Sequence, residues 1–188
     1  IIDRLGGDSR QLIYEEPASE SDLLEVERII EKSIPGDFRN NLSTHSSSCE
    51  FKWFLPDNFT LPYDLRQIFC GDLVWNLDTI VRLNKNYDAT IRESFPNRED
   101  ECDKVWYDKF LMQEVGNGDY ISIDLAPFSY GKIIYISHEC DEENGYVMAN
   151  SFTELLSNWT KLGCVGPEAW QWLPFYDDEI GINPESDN

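Results

Sequence analysis

In VGNGDYISIDL, residues 115–125, an Asn-Gly step and two acids lead into an alternating apolar run. Glycines beside aspartate can cradle phosphate or metal, whereas Asn-Gly between apolar alternations is the strongest short-range hairpin signal. Asn117 and Gly118 can supply the positive φ angles of a tight turn. Beyond it, Tyr120, Ser122 and Asp124 alternate against Ile121, Ile123 and Leu125, which predicts a strand with one buried and one wet face. Asp119 and Asp124 are then expected as surface charges.

The neighbours share the pattern. FLMQEV (110–115), KIIYISH (132–138) and GYVMAN (145–150) are short β-rich runs between turn residues, so residues 110–149 read as an antiparallel meander. Downstream, Ser151 as cap, Glu154 as the capping-box acid, Leu155 and Trp159 as the stripe and Gly163 as the stop predict a helix. Residues 176–188 are expected to form a frayed acidic tail. Upstream, Ser19 and Asp22 open a helix over about 20–32 with Leu23, Val26 and Ile30 as its stripe. A short helix follows Pro35, and CEFKWFL (49–55) and GDLVWNL (71–77) read as strands. Asn76 is placed to cap the longest helix, carrying Ile80, Leu83, Tyr87 and Ile91 on one stripe. Residues 1–18 carry no sustained period, and no linker separates a second domain from 19–175.

The chain has 188 residues, 41% of them hydrophobic, enough for one globular domain. Fifteen Lys and Arg against 36 Asp and Glu give a net charge of −21, which repels nucleic-acid backbones and anionic lipid and suits a basic protein partner. No apolar stretch reaches membrane-span length, and the first residues show no charged-then-apolar leader. Cys49, Cys70, Cys102, Cys140 and Cys164 are odd in number and widely spaced, a pattern expected of reduced thiols in the cytoplasm.

Catalytic and metal motifs are sparse. The two histidines, His45 and His138, lie in no catalytic signature, and neither a nucleophile elbow nor a glycine-rich phosphate loop is present. Asp119, Asp124, Glu139 and Asp141 are the acids that could join His138 as metal ligands, and Cys140 shares its strand face. ECDEENG (139–145) lacks the acid spacing of a calcium loop. No catalytic residue, metal or cofactor is therefore assigned. The acids instead cluster at Glu139, Asp141, Glu142 and Glu143 and again at Asp177, Asp178 and Glu179. With Tyr130, Tyr146, Trp170 and Trp172 nearby in the sequence, and with Asp119, Tyr120 and Asp124, they are the candidate partner-binding residues.

GNGDYISIDL, YGKIIYISHE, YVMANSFTELLSNWTKLGCVGP and WQWLPF, in that order, resemble the SUKH superfamily in its Smi/Knr-type branch. The likeness extends through IPGDFRNNL (34–42) and GDLVWNLDTIVRLNKNY (71–87) and spans most of 34–175. Departures are STHSSSCEF (43–51), where many relatives have a glycine-rich helix end, and the acidic loop 139–145, which has fewer glycines. The resemblance implies a single α+β domain with a mixed, largely antiparallel sheet packed against helices. It also implies a non-catalytic role: a bacterial immunity protein that neutralises a delivered toxin, or a regulatory scaffold like the fungal cell-wall regulators. A metal-assisted hydrolase around His138 is the third alternative.

Overall fold

The computed structural model describes residues 1–186, the side chain of Asp64 excepted. Two short strands, β1 (Asp8–Ser9) and β2 (Ile13–Tyr14), precede α1 (Glu20–Ile30) and α2 (Gly36–Thr44). The Ser19 capping box forms as the sequence predicts, and Leu23, Val26 and Ile30 are the buried face of α1. Pro35 occupies the N-cap of α2.

β3 (Cys49–Phe54) and β4 (Cys70–Trp75) pair antiparallel over their full length, and β1 and β2 both pair with β3 on its other edge. The uncommitted N-terminal residues are thus part of a four-stranded sheet. Asn76 then caps α3 (Leu77–Asn84) through the Thr79 N–H at 2.7 Å. The expected long helix is two: Asn86 adopts φ 67°, and α4 (Tyr87–Ser94) begins there. Its apolar stripe continues across the break because Leu83, Tyr87 and Ile91 all bury into one cluster.

The meander is confirmed as β5 (Lys109–Glu114), β6 (Tyr120–Asp124), β7 (Ile133–Ile136) and β8 (Val147–Ala149), antiparallel in that order. Gly118 takes φ 99° in the β5–β6 turn, whereas Asn117, expected to share a positive φ, does not take one and instead braces the turn through its side chain on Asp119. All strand ladders among the described residues are antiparallel. The two sheets meet where β5 bulges between Leu111 and Gln113. There the Gln113 amide accepts from the Val74 N–H and donates to the Asp72 carbonyl, both at 3.1 Å, so a side chain ties β5 to β4 across the two sheets.

After β8 come α5 (Phe152–Trp159), capped by Ser151, and the short α6 (Ala169–Trp172). β9 (Tyr176–Asp177) and β10 (Gly181–Ile182) then pair as a hairpin beside β8, with Ile182 fully buried. The expected frayed tail is in this part a packed element; residues 187–188 lie outside the described chain. A carbonyl of β8 crowds Gly181, which at φ 88° has no room for a Cβ against Met148.

The main core centres on Phe38 of α2, whose ring meets Phe152 at 4.7 Å, Phe110 at 6.1 Å and Trp75 at 6.5 Å, all edge-on. A second cluster of Leu83, Tyr87, Ile91, Trp106, Leu111, Ile134 and Ile136 covers the opposite face of the β5–β8 sheet. That face was expected to be wet. It is sealed by α3, α4 and Trp106, so Ser122 and Asp124 are buried with the apolar residues. The structure is α+β, with helices against both faces of that sheet.

Candidate partner-binding surface

The β5–β6 and β7–β8 connections lie at the same end of the meander, and at that end Asp119 organises both. Only 2% exposed, its carboxylate accepts from the Tyr135 hydroxyl at 2.5 Å, the Asn117 amide at 2.7 Å, the His138 N–H at 2.9 Å and the His138 ring Nδ1 at 2.7 Å. Burial pushes its pKa up, but the hydrogen bonds from Tyr135, His138 and Asn117 outweigh that and hold it below the ordinary carboxylate value. His138 is raised in turn, chiefly by its hydrogen bond to Asp119. Asp119 is therefore an internal strut, and the expectation of a surface charge is corrected.

Asp124 is corrected likewise. It is 6% exposed, pairs with the buried Lys109 at 3.2 Å, and accepts from the Ala126 N–H and the Ser129 hydroxyl in the β6–β7 turn. It lies five residue steps along β6 from Asp119, roughly 16 Å, so the two cannot share a metal with His138. Trp172 is fully buried against Tyr135 and Tyr176, with ring centroids 5.4 and 5.7 Å away, and is core. Tyr120 is half-buried beside Trp106.

The loop after β7 folds on Ser137, whose backbone N–H donates to Asn144 and whose hydroxyl reaches Asp141. Glu139, Asp141 and Glu142 are thereby displayed to solvent, with Glu143 and Tyr146 half-exposed. Tyr146 stacks on Tyr176 at 4.7 Å and 19°. Burial raises the Tyr146 pKa, and the carboxylates of Glu142, Glu143 and Asp178 raise it further, so the two acid runs predicted separately share one neighbourhood. Below that stack, the rings of Trp172 and Tyr135 continue inward to Asp119.

A third run joins them through a bond the sequence reading missed. Cys102 and Cys140 form a disulfide with Cα atoms 5.6 Å apart, which corrects the expectation that every cysteine is a reduced thiol. It also removes Cys140 as a nucleophile beside His138 and the ground on which a reducing compartment was expected. The bond brings Asp100, Glu101 and Asp103 to the Glu139–Glu143 loop. Only the run of acids in NREDECDK (97–104) signals them; nothing in the spacing of five cysteines selects this pair. Asp100, Cys102 and Asp103 are close enough to share an ion, but that sulfur is bonded to Cys140. Cys49, Cys70 and Cys164 stay free, their thiols pushed up by burial to about 11, 11 and 12.

Nearby cations are already engaged: Lys104 pairs with Glu101, and Arg98 with Asp108 at 3.0 Å. Beyond Lys132 the chain carries one further cation, Lys161, against eleven acids. Tyr130 and Trp170 are not part of this surface as predicted. Tyr130 is exposed in the β6–β7 turn, at the opposite end of the meander, and Trp170 packs on the exposed Phe69 at 5.6 Å with its indole N–H on Glu168.

No helix is long and apolar enough to cross a membrane among the described residues. A comparison with curated proteins returns no match. The sequence model of the SMI1 / KNR4 family (SUKH-1) matches residues 17–158, from the residues before α1 into α5. With three quarters of its length inside that match and the α+β architecture in agreement, the chain belongs to the SMI1 / KNR4 (SUKH-1) family.

Proposed function

We propose that this protein binds a basic protein partner through the acidic surface made by Asp100, Glu101, Glu139, Asp141, Glu142, Glu143 and Asp178, without catalysing a reaction. The reading favoured among family roles is immunity: occupation of the groove of a toxin domain by a surface that mimics its polyanionic substrate. The observation that carries it is the meeting of three acid runs separate in sequence: Glu142, Glu143 and Asp178 beside the Tyr146–Tyr176 stack, and Asp100–Asp103 tied to the same loop by Cys102–Cys140. Such a field raises association rates by roughly 10- to 10³-fold at low salt, and half-exposed tyrosines suit the buried centre of an interface. A regulatory scaffold that binds an endogenous basic protein is the second reading, supported by the same surface and the same family. Neither needs the metal site, since Asp119 and Asp124 are committed to internal bonds.

The test is co-expression with candidate basic toxin domains, followed by co-purification. Protection from killing is expected, with complex formation lost in Glu142→Lys/Glu143→Lys while the fold is retained. Killing undiminished by this chain would exclude immunity toward that toxin, and a complex indifferent to charge reversal and to salt would exclude this surface.

A further inference from the structure

A second, chemically opposite feature lies on the far side of the same sheet. Between α3, α4 and the β5–β6 turn opens a cavity of about 410 Å³, within the range of small-molecule sites. Its walls are aromatic and apolar, with Tyr87, Ile91, Phe95, Trp106 and Tyr120. Its polar lining consists of Arg82, Lys85, His138, Thr90 and Ser94, and no carboxylate lines it. In a chain with 36 acids against 15 bases, an acid-free cavity carrying three basic side chains calls for a reason.

The details agree on an anion. Lys85 makes no ion pair among the described residues, and Arg82 shares only the exposed Glu114 at 2.9 Å. His138 is fixed through Nδ1 by the buried Asp119 carboxylate, which leaves Nε2 outward; the acid nearest that nitrogen is Glu139 at 3.8 Å. Gly118 lies directly under the imidazole. Trp106, stacked on Phe95 at 4.4 Å and edge-on to Tyr120, is buried, and its indole N–H has no acceptor.

We infer that this cavity binds a small planar anion, an aromatic ring bearing a phosphate or carboxylate, with the ring against Phe95 and Tyr120, the partly exposed rings that flank Trp106, and the charge on Lys85, Arg82 and His138. The cavity meets the acidic surface at His138, whose loop runs on into Glu139–Glu143, whereas Lys85, Thr90 and Tyr120 belong to neither the disulfide-linked loops nor the Tyr146–Tyr176 stack. The flat ring supplies contact area, and the cations overcome the repulsion that a −21 chain presents to any anion.

The experiment is an amide-resonance titration of the whole chain with adenosine 5′-monophosphate, phenyl phosphate and inorganic phosphate, followed also by tryptophan fluorescence. Saturable shifts are expected at Gly118, Tyr120 and Trp106 with a ring-bearing compound. A response to adenosine monophosphate alone assigns a nucleotide; a response to both assigns aryl anions generally. Lys85→Ala and His138→Gln should each weaken binding about tenfold, the worth of one charge-assisted hydrogen bond, with the unfolding midpoint of each variant confirming its fold. Ser94→Trp, at an exposed position on the cavity rim, should block it. No saturation with either ring compound, equal binding of inorganic phosphate, or unchanged affinity in Lys85→Ala would each overturn the assignment.

Discussion

Replacing Asp119 by alanine tests the centre of the structure. Its carboxylate receives four hydrogen bonds from the β5–β6 turn, β7 and the β7–β8 loop. The Tyr135 hydroxyl, on a residue 1% exposed, would lose its acceptor in a place water does not reach. A hydrogen bond to a buried charge is worth about 1.5–3 kcal/mol, and the more exposed bonds from Asn117 and His138 about 0.5–1 kcal/mol each. Together the four bonds come to roughly 3–6 kcal/mol, about a fifth or more of the 5–15 kcal/mol that holds an ordinary domain folded. At about 2–4 °C per kcal/mol for a chain of this size, the melting temperature should fall by roughly 10 °C. Urea unfolding should show a lower midpoint with an unchanged slope, and Asp119→Asn, which keeps the shape but not the charge, should cost less. The imidazole of His138 should titrate at lower pH in Asp119→Asn. A cost below about 1 kcal/mol for Asp119→Ala, or an unmoved His138 titration, would refute the strut.

The same pair predicts a pH window. The Asp119 contribution is present above the unfolded carboxyl value of about 4 and is lost as pH falls through its lower folded value, whereas the His138 contribution is complete below about 6.5 and is lost as pH rises through its higher folded value. The stability difference between wild type and Asp119→Asn should therefore be largest between those limits, and a difference flat from pH 3 to 9, roughly the span of both titrations, would contradict it. Reduction of Cys102–Cys140, or Cys102→Ser/Cys140→Ser, opens a 38-residue loop worth about 4 kcal/mol in chain entropy; identical unfolding of oxidised and reduced protein would show that the bond does not hold the acid loops. Gln113→Ala strips the Val74 N–H and the Asp72 carbonyl of their partners, for a loss of about 2–3 kcal/mol and faster exchange of the Val74 amide, measurable by hydrogen exchange.

Local physics was legible in the sequence. Ser19, Asn76 and Ser151 cap their helices because a cap needs only the next three residues, and Gly118 makes its turn because tolerance of positive φ is a property of the residue itself. The surface carrying Glu139–Glu143 with Asp178 was half legible, as two acid clusters in the chain. Their meeting was not, because it depends on Tyr176 stacking on Tyr146 from thirty residues away. The Lys109–Asp124 pair escaped notice for a similar reason: only the β5–β6 register sets those two residues opposite each other.

The sequence by itself determined the class of the elements, the hairpin and the family, because each rests on periods, caps and word order within reach of a few residues. Tertiary structure alone decided which polar residues are inside. The alternation of Tyr120, Ser122 and Asp124 reads as a wet face, yet α3, α4 and Trp106 cover it, and each buried polar group among them has a partner brought by another strand or turn. The disulfide likewise required two loops 38 residues apart to arrive within 5.6 Å at Cα. Burial and long-range pairing are properties of the packed whole, and a periodic pattern cannot say how many layers will close over a sheet.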